Sequence, residues 1–285
     1  MTRRDQLVLA AARMALKVRH SAGVALHEAI CVFDLAERQL GVEVWLQDIP
    51  SLEAMYVKQV PPMIIVSSLR PPGRRAFNCA HELGHHAFGH GTRVDKYMEE
   101  ESNPFSPDEF MADCFGGYLL MPKTAVCHGF AKRGWSPTAC VPVQVATIAS
   151  WLGVGYSTLV SHMSATLRLI DRRKSEDLAK VTPKQIRAEL APEQDCPHLV
   201  IVDRHWADRP VDCEVGELIL VPAEAEPEGA CITIAQDARA GRLLRAASPG
   251  VGRIVGNAWA TYVRVSRAGF TGRGKYRHLE EAKGD

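Results

Sequence analysis

Hydrophobic and polar residues follow two periods along the chain, and the N-terminal third already contains both. The stretch 31–40 has the spacing of a helix and ends at Gly41, a residue typical of the position after a helix. Residues 42–46 alternate as a strand does, and residues 62–68 form a more apolar strand bounded by prolines. We therefore expect a helical N-terminal part and then a small sheet that leads into a helix beginning near Arg75.

A polar segment follows that helix and ends at a second helix start. Residues 95–108 are rich in Glu, Ser, Asn and Pro, which predicts an acidic loop. Ser106 fits the cap of the next helix, Pro107 its first position and Glu109 the third position of a capping box. We expect this second helix to run through Leu120.

The C-terminal half changes from helical to strand-like patterning. Residues 145–152, 153–155 and 156–167 predict a helix, a tight turn and a second helix. After about Pro197, links rich in Pro and Glu separate apolar runs of strand length. These runs are residues 199–202, 217–221, 231–234 and 261–265. The predicted fold class is therefore α+β, with a β-rich C-terminal part.

Composition and charge narrow the classes of function. The chain has 34 Lys and Arg against 33 Asp and Glu, so a strongly cationic nucleic-acid binder is not indicated. Its 8 cysteines include no CxxC pair, which is typical of reduced thiols in a cytoplasmic protein. Arg13 interrupts the apolar run 7–12, and no segment reaches the ~18 apolar residues of a membrane span. We predict a cytoplasmic protein without membrane contact.

The residues that point to a chemical activity are His81-Glu82-Leu83-Gly84-His85. On a helix, His81 and His85 face the same side, where two neutral imidazoles can bind one Zn²⁺ at roughly 2.0–2.1 Å. Glu82 can take a proton from the water that zinc activates, which makes it the candidate general base. Gly84 would let another segment pass close to the helix. An ordinary amphipathic helix with this pattern by chance is the alternative.

A catalytic zinc takes three protein ligands and keeps one position open, so a third ligand is required. Glu109 lies 24 residues after His85, and Asp113 follows one turn later on the same helix face. Glu109 is the candidate ligand, and Asp113 would accept a hydrogen bond from a ligand histidine. A capping role for Glu109 and a solvated carboxylate at Asp113 are the alternatives. His86 points about 100° away from His85 and His90 is out of register with the metzincin motif, so both are set aside.

With these residues in place, the sequence resembles the ImmA/IrrE family of metallopeptidases. The matching segments are residues 77–85, FNCAHELGH, and residues 109–122 in the pattern E-x-x-A-D-x-F-G-G-x-L-L-M-P. Glu109 falls on the family's zinc ligand. Gly116-Gly117 replaces the family's usual Ala-Ala pair, which should loosen the helix slightly. The resemblance covers about residues 25–165.

The resemblance implies three domains. They are a zincin-like metallopeptidase domain of helices and a small sheet over residues 1–123, a helix-turn-helix-like segment over 124–190, and a β-rich domain over 191–285 that is similar to a GAF domain. The implied metal is Zn²⁺, with Mn²⁺ as the alternative. The implied substrate is a helix-turn-helix (XRE-like) repressor protein, cleaved to derepress stress-response or mobile-element genes. Three side chains are candidates for stabilising the oxyanion: Tyr97, Tyr118 and His162.

Further expectations concern the partners. In related zinc peptidases an edge strand holds the substrate as an added strand, and Ile64, Ile65 and Val66 are the candidate residues for it. Residues 156–167 contain no Arg or Lys, and phosphate contacts dominate DNA affinity, so we expect DNA binding to be weak or absent. Two other functions stay open: a DNA-binding regulator with structural zinc, and the toxin of a toxin–antitoxin pair.

Overall fold

The N-terminal part forms helices and strands where the sequence predicts them, with one strand more. Its elements are α1 (Arg3–Ser21), α2 (Val32–Asp34), β1 (Glu43–Gln47), β2 (Leu52–Val57), β3 (Met63–Ser67) and α3 (Pro72–Phe88). A π-helical turn over Leu35–Gln39 continues α2. Gly41 follows at φ +67°, in the left-handed region that glycine reaches without a steric penalty. The structure is a computed structural model that describes residues 2–96, 105–192, 194–207 and 209–279.

Five strands form the sheet on which α3 lies. Their order is β13, β1, β3, β2, β4, where β4 is Arg93–Lys96 and β13 is Gly272–Arg273. β1 and β3 are parallel, and the other neighbours are antiparallel. α3 packs against β2 and β3, so the helix with the histidine motif rests on the β2, β3 side of the sheet, next to β4.

The strand order shows that Ile64, Ile65 and Val66 do not offer an edge to a substrate. They belong to β3, which lies inside the sheet between β1 and β2. At Ile64 the paired residues are Val44 on one side and Tyr56 on the other. Because both sides of the β3 backbone are already hydrogen-bonded, an added strand has no place there, and the expectation is wrong.

The edge position on this side of the sheet belongs to β4. It pairs with β2 alone among the described strands, with Tyr56 opposite Arg93 and Ala54 opposite Asp95. β4 overlaps the start of the segment 95–108 that the sequence predicts as a loop, so that prediction is wrong at its first residues. Residues 97–104 of the predicted loop lie outside the described residues.

Within the described part of the chain, six α-helices follow β4: α4 (Pro107–Leu120), α5 (Lys123–Ala131), α6 (Pro142–Leu152), α7 (Tyr156–Ser161), α8 (Arg172–Ala179) and α9 (Pro183–Leu190). The predicted helix, turn and helix correspond to α6, Gly153 at φ +72°, and α7 with its π-helical continuation over His162–Thr166. α4 packs between α1 and α3. Among the described residues no single helix is long and apolar enough to cross a membrane, although α6 with α7 and its continuation, bent by 102°, passes on length and composition alone.

The C-terminal part is β-rich, which confirms the α+β class. Its strands are β5 (Leu199–Ile201), β6 (Val211–Glu214), β7 (Leu218–Val221), β8 (Glu226–Glu228), β9 (Ile232–Ala238), β10 (Gly241–Ala246), β11 (Gly250–Gly256) and β12 (Trp259–Ser266). They form two four-stranded sheets, in the orders β5, β7, β10, β9 and β6, β12, β11, β8. Both sheets are mixed, because β5 with β7 and β6 with β12 are parallel. The likeness to a GAF domain stays a prediction.

The C-terminal end returns to the first sheet. β13 pairs with β1, with Arg273 opposite Trp45. Arg264 of β12 donates to Asp212 at 2.6 Å and to Asp34 at 2.7 Å, so one buried guanidinium joins β6 to the segment before β1. The predicted boundary at residues 190 and 191 is therefore crossed by a strand pair and an ion pair, and the division into three domains stays a prediction.

Candidate metal centre

Two imidazoles and one carboxylate converge at the contact between α3 and α4. His81 Nε2 lies 3.1 Å from His85 Nε2 and 3.2 Å from Glu109 Oε2, and His85 Nε2 lies 3.3 Å from the same oxygen. The two rings are buried, and Glu109 is half-buried. The four-residue spacing on α3 aligns the histidines, and α4 crosses them with its first turn.

The size of this triangle suits a metal ion. A tetrahedral zinc with ligand bonds of roughly 2.0–2.1 Å keeps its ligand atoms about 3.3–3.4 Å apart. The three edges of 3.1, 3.2 and 3.3 Å are close to that value before any adjustment of the side chains. The three residues therefore fit the ligand set that the sequence predicts.

The Nδ1 atoms of His81 and His85 both have hydrogen-bond partners. These partners determine whether each Nε2 atom carries a proton or a lone pair. His81 Nδ1 lies 2.8 Å from Asp113 Oδ1, and His85 Nδ1 lies 2.8 Å from His90 Nδ1. A neutral ring that donates through Nδ1 has a lone pair on Nε2. Two such lone pairs then face the oxygen of Glu109, an arrangement that repels itself unless a cation or a proton lies between them.

The pKa shifts of Glu109 and His81 also indicate a site for a cation between them. Hydrogen bonds to His81 and then to His85 hold the pKa of Glu109 well below its usual range, so this carboxylate stays ionised. Burial alone would lower the pKa of His81, but hydrogen bonds to Asp113 and Glu109 and the nearby carboxylates outweigh it and raise that pKa well above its usual value. Without a metal, His81 thus takes up a proton at the place where a cation would bind.

Glu82 is buried beside the three ligand candidates, next to Asp95. Its side chain is fully buried, no described residue donates a hydrogen bond to its oxygens, and a proton on Glu82 can be shared with the Asp95 carboxylate. Burial, together with the negative charge of Asp95, raises the pKa of Glu82 to about 9. Without a metal, Glu82 is therefore the neutral acid at pH 7. The positive charge of a bound metal ion would favour its ionised form, which is the form that can act as a base.

The capping role that is the alternative for Glu109 concerns the start of α4 at Ser106. Ser106 Oγ accepts a hydrogen bond from the Glu109 N–H at 3.4 Å, so the predicted cap is present. The Glu109 carboxylate does not return to the cap but faces His81 and His85. Cap and ligand candidate therefore coexist, because the backbone of Glu109 serves one and its side chain the other.

Gly84 is the point at which α4 passes over α3. A Cβ at this position would lie 3.0 Å from Ala112 Cα and 3.2 Å from Phe115 Cδ1. This confirms the expectation that a small residue admits another segment. Gly117 has a different neighbour, since a Cβ there would lie 3.0 Å from the His162 ring. The glycine in place of the family's usual alanine therefore makes room for His162.

Sequence reasoning missed Asp95 and the position of His90. Asp95 Oδ2 lies 3.3 Å from His81 Nε2, and His81, Glu82 and Asp95 form a second group whose ligand atoms lie within 4.8 Å of one another. Asp95 was hidden inside the predicted loop. His90 does not fit the metzincin pattern, as expected, but its Nδ1 lies 2.8 Å from His85 Nδ1. His86 instead lies 3.0 Å from the hydroxyl of Tyr56.

The candidates for oxyanion stabilisation differ in what the structure shows. His162 is buried and its Nε2 lies 3.1 Å from the carbonyl oxygen of Met121, so this nitrogen is already engaged. The ring of Tyr118 packs edge-on against His162, with centroids 5.8 Å apart. Tyr97 lies outside the described residues.

Comparisons with known proteins identify a family for the part of the chain that holds this centre. Residues 38–163 match the model of the Peptidase_M78 family, described as the IrrE N-terminal-like domain. No curated protein matches the sequence significantly. Among solved structures, a Mycobacterium tuberculosis transcriptional regulator aligns with a TM-score of 0.34 and 17% identity, covering 56% of this chain. The alignment spans 46% of that protein, which is less than half of its length.

Proposed function

Residues 38–163 form a domain of the ImmA/IrrE (Peptidase_M78) family, and on that basis we propose that the chain is a zinc-dependent endopeptidase. The observation that carries the proposal is the triangle of His81, His85 and Glu109 beside the buried carboxyl group of Glu82. A structural zinc is usually enclosed by four side chains. Three ligand candidates with a buried carboxyl group beside them are instead the parts of a hydrolytic site.

Each residue has one task in this reaction. His81, His85 and Glu109 would hold the metal, while Asp113 and His90 hold the two rings in the orientation that directs Nε2 inwards. The metal, when bound, supplies a Lewis acid for the peptide carbonyl and lowers the pKa of water. Glu82 takes the proton from the attacking water and returns it to the amine that leaves. Burial and the charge of Asp95 raise the pKa of Glu82 to about 9, and the charge of a bound cation would lower that pKa so that Glu82 can act as the base.

β4 replaces β3 as the substrate edge in this proposal. One side of β4 pairs with β2, and its other side has no neighbour among the described strands. Asp95 of β4 lies 3.3 Å from His81, so a peptide added along β4 would pass next to the metal ligands. This arrangement supports a zincin-like mode of binding and an extended protein segment as the substrate. In line with the family resemblance, we propose a helix-turn-helix (XRE-like) repressor as that protein.

A DNA-binding regulator with structural zinc is the less favoured function. In α7 and its π-helical continuation, the positions that would have to read DNA are partly buried: Tyr156, Leu159, Val160, His162 and Met163 all lie in the interior. The exposed residues of this segment, Ser157, Ser161 and Ala165, carry no charge for phosphate contacts.

The proposal is tested with the full chain, loaded with zinc, and a helix-turn-helix (XRE-like) repressor protein as the candidate substrate. Fragments are identified by mass spectrometry, and zinc is measured per chain. We expect Glu82→Gln to retain about one zinc per chain and to lose cleavage, because the metal ligands are untouched and the base is removed. Glu189→Gln, which changes an exposed glutamate of α9, is the matched control and should cleave like the wild type. Equal cleavage by wild type and Glu82→Gln would refute the mechanism.

A further inference from the structure

A second site candidate lies apart from the metal centre, in a cavity of about 580 Å³. It opens where residues 24–39, the end of α5 and residues 205–210 meet. None of its lining residues belongs to the metal ligands or their hydrogen-bond partners. Its lining is rich in cationic and imidazole side chains: His27, Arg38, His128, Lys132, His205 and Arg209.

The floor of the cavity is formed by two cations that lack carboxylate partners. Lys132 Nζ lies 3.9 Å from the centroid of the Trp151 ring and donates to the carbonyl oxygen of His205 at 3.1 Å. Arg209 lies over the Trp206 ring at 5.0 Å, and its buried Nη1 has no hydrogen-bond partner among the described residues. Neither residue forms a salt bridge within the described part of the chain. The buried Arg209 nitrogen therefore lacks an acceptor, and Lys132 has one carbonyl acceptor for its three N–H groups.

The rim adds further donors. The rings of His27 and His128 lie 4.9 Å apart at an angle of 62°, and both residues are exposed. His128 and Lys132 are one turn apart on the same face of the end of α5, so rim and floor share one side of the cavity. Arg38, from the turn after α2, completes the rim.

The two acids in the lining do not neutralise this group. Asp34 accepts a hydrogen bond from Arg264 at 2.7 Å and lies 3.6 Å from Arg277, so its charge is directed to the opposite side. Glu28 is exposed and accepts from the N–H of Ala25 at 3.2 Å. Two acids outside the lining also act on the floor cations, Asp203 on Lys132 and Asp212 on Arg209. Each of these acids is held by another arginine, Asp203 by Arg133 and Asp212 by Arg264, so neither forms a salt bridge with a floor cation.

The positive charges around the cavity also lower one another's pKa values. Burial and the charge of Arg133 lower the pKa of Lys132 to about 8, the charge of Asp203 opposes this shift, and the charge of Arg209 adds to it. Burial lowers the pKa of His128, and the charge of Lys132 adds to this effect. Like charges held together in a partly buried cavity are relieved by a bound anion.

We propose that this cavity binds a small phosphorylated molecule, with its phosphate on Lys132 and Arg209 and its organic part towards the rim. A guanidinium and an ammonium that line one cavity are the donors that phosphate recognition uses, and the terminal oxygens of a phosphate accept several hydrogen bonds at once. The cavity volume exceeds that of a phosphate alone, which leaves space for the esterified group. This site is independent of the proposed peptidase reaction.

Binding is measured on the full chain by calorimetry and by phosphorus NMR line broadening, with inorganic phosphate and glycerol 2-phosphate as probes and malonate as a carboxylate probe. We expect both phosphates to bind, glycerol 2-phosphate more tightly, and malonate to bind more weakly than either. Lys132→Gln and Arg209→Gln should each weaken phosphate binding by about ten-fold or more, since each removes a charge-assisted hydrogen bond. Arg172→Gln removes a cation whose side chain is 93% exposed, and it should leave binding unchanged.

Several outcomes would overturn the proposal. They are no binding by the wild type at millimolar probe, tighter binding of malonate, and unchanged phosphate binding by both variants, which would place the anion elsewhere, for example at the metal. Lys132→Met keeps the apolar stem over Trp151 while it removes the charge, so it separates loss of the anion site from loss of packing. If Lys132→Met folds like the wild type by circular dichroism and still binds phosphate with full affinity, the cavity is not the site.

Discussion

Gly84→Ala tests the idea that the close approach of α4 to α3 sets the geometry of the metal centre. Gly84 lies between His81 and His85 on α3, and Ala112 lies one turn after Glu109 on α4. A methyl group at Gly84 would meet the backbone Cα of Ala112 at 3.0 Å, which cannot rotate away as a flexible side chain can. The two helices must therefore separate by a few tenths of an ångström, and with them the ligand candidates.

Two opposing effects give the size of the change. Alanine is favoured over glycine inside a helix by about 1 kcal/mol. Overpacking a tight core contact costs about 1–3 kcal/mol. Because the nearest atom belongs to the backbone and Phe115 Cδ1 and Ala112 Cβ are also within 3.3 Å, the steric cost should exceed the gain. We expect a net loss of about 1 kcal/mol in the free energy of unfolding, and zinc affinity about ten-fold lower, because ligand distances tolerate only about 0.2 Å.

Gly116→Ala is the matched control for this substitution. It makes the same chemical change on the partner helix α4, but its Cβ would lie 3.3 Å from the His81 nitrogen and 3.4 Å or more from Ala80. The propensity gain and the milder crowding should nearly cancel, so its stability should stay within about 0.5 kcal/mol of the wild type.

The assay is urea unfolding of both variants with a chelator present, followed by zinc competition against a chromophoric chelator. The chelator separates packing from metal binding, since a metal that binds only the folded state would add to apparent stability. If Gly84→Ala is as stable as Gly116→Ala and binds zinc as tightly as the wild type, the close helix contact does not control the position of Glu109.

Two further predictions concern side chains behind the ligands. Asp113→Asn and His90→Ala should each weaken zinc binding by about 10–100-fold without unfolding the chain, because each removes the partner that orients one ring. Zinc competition measures this, and wild-type affinity in both variants would exclude the orienting role. Burial lowers the pKa of His162 to about 4, below its unfolded value near 6.5. The neutral His162 ring therefore makes its full contribution to the free energy of unfolding above pH 6.5. This contribution is lost as the pH falls towards 4, by up to about 3 kcal/mol. Urea unfolding at pH 7 and pH 5 should show a loss that is smaller in His162→Gln, and an equal loss in both proteins would contradict this assignment.

Features that depend only on residues close together in the sequence could be predicted. The pairing of His81 with His85 needs only the helical repeat, and the helix start at Ser106 needs only local capping chemistry. The choice between cap and ligand for Glu109 could not be made locally. It depends on α4 crossing α3, a contact between segments more than twenty residues apart, and the small residue at Gly84 was the one hint of it.

Strand order was not accessible in the same way. β1 and β3 both have apolar patterns and were expected, but nothing in either pattern states that β2 would pair with β3 and leave β4 at the edge. β4 itself is a short strand of mostly polar residues, as edge strands often are, and its composition predicts a loop. Asp95 was missed for this reason. β13 is shorter still, and it pairs with β1 across more than two hundred residues of sequence, since Arg273 lies opposite Trp45.

His90 shows how a register argument can be correct and still incomplete. Counting positions removed it from the metzincin pattern, and the helix repeat would carry it away from His85. The helix ends first: Gly89 takes φ +70°, and its N–H bonds to the carbonyls of His85 and His86. The His90 N–H then bonds to the His85 carbonyl at 2.9 Å, so the chain folds back and brings one ring to the other. A glycine at the end of a helix is a recognised stop. It predicts where the helical repeat ceases to apply, and the residue after it should be placed by the reversal of the chain rather than by the helix.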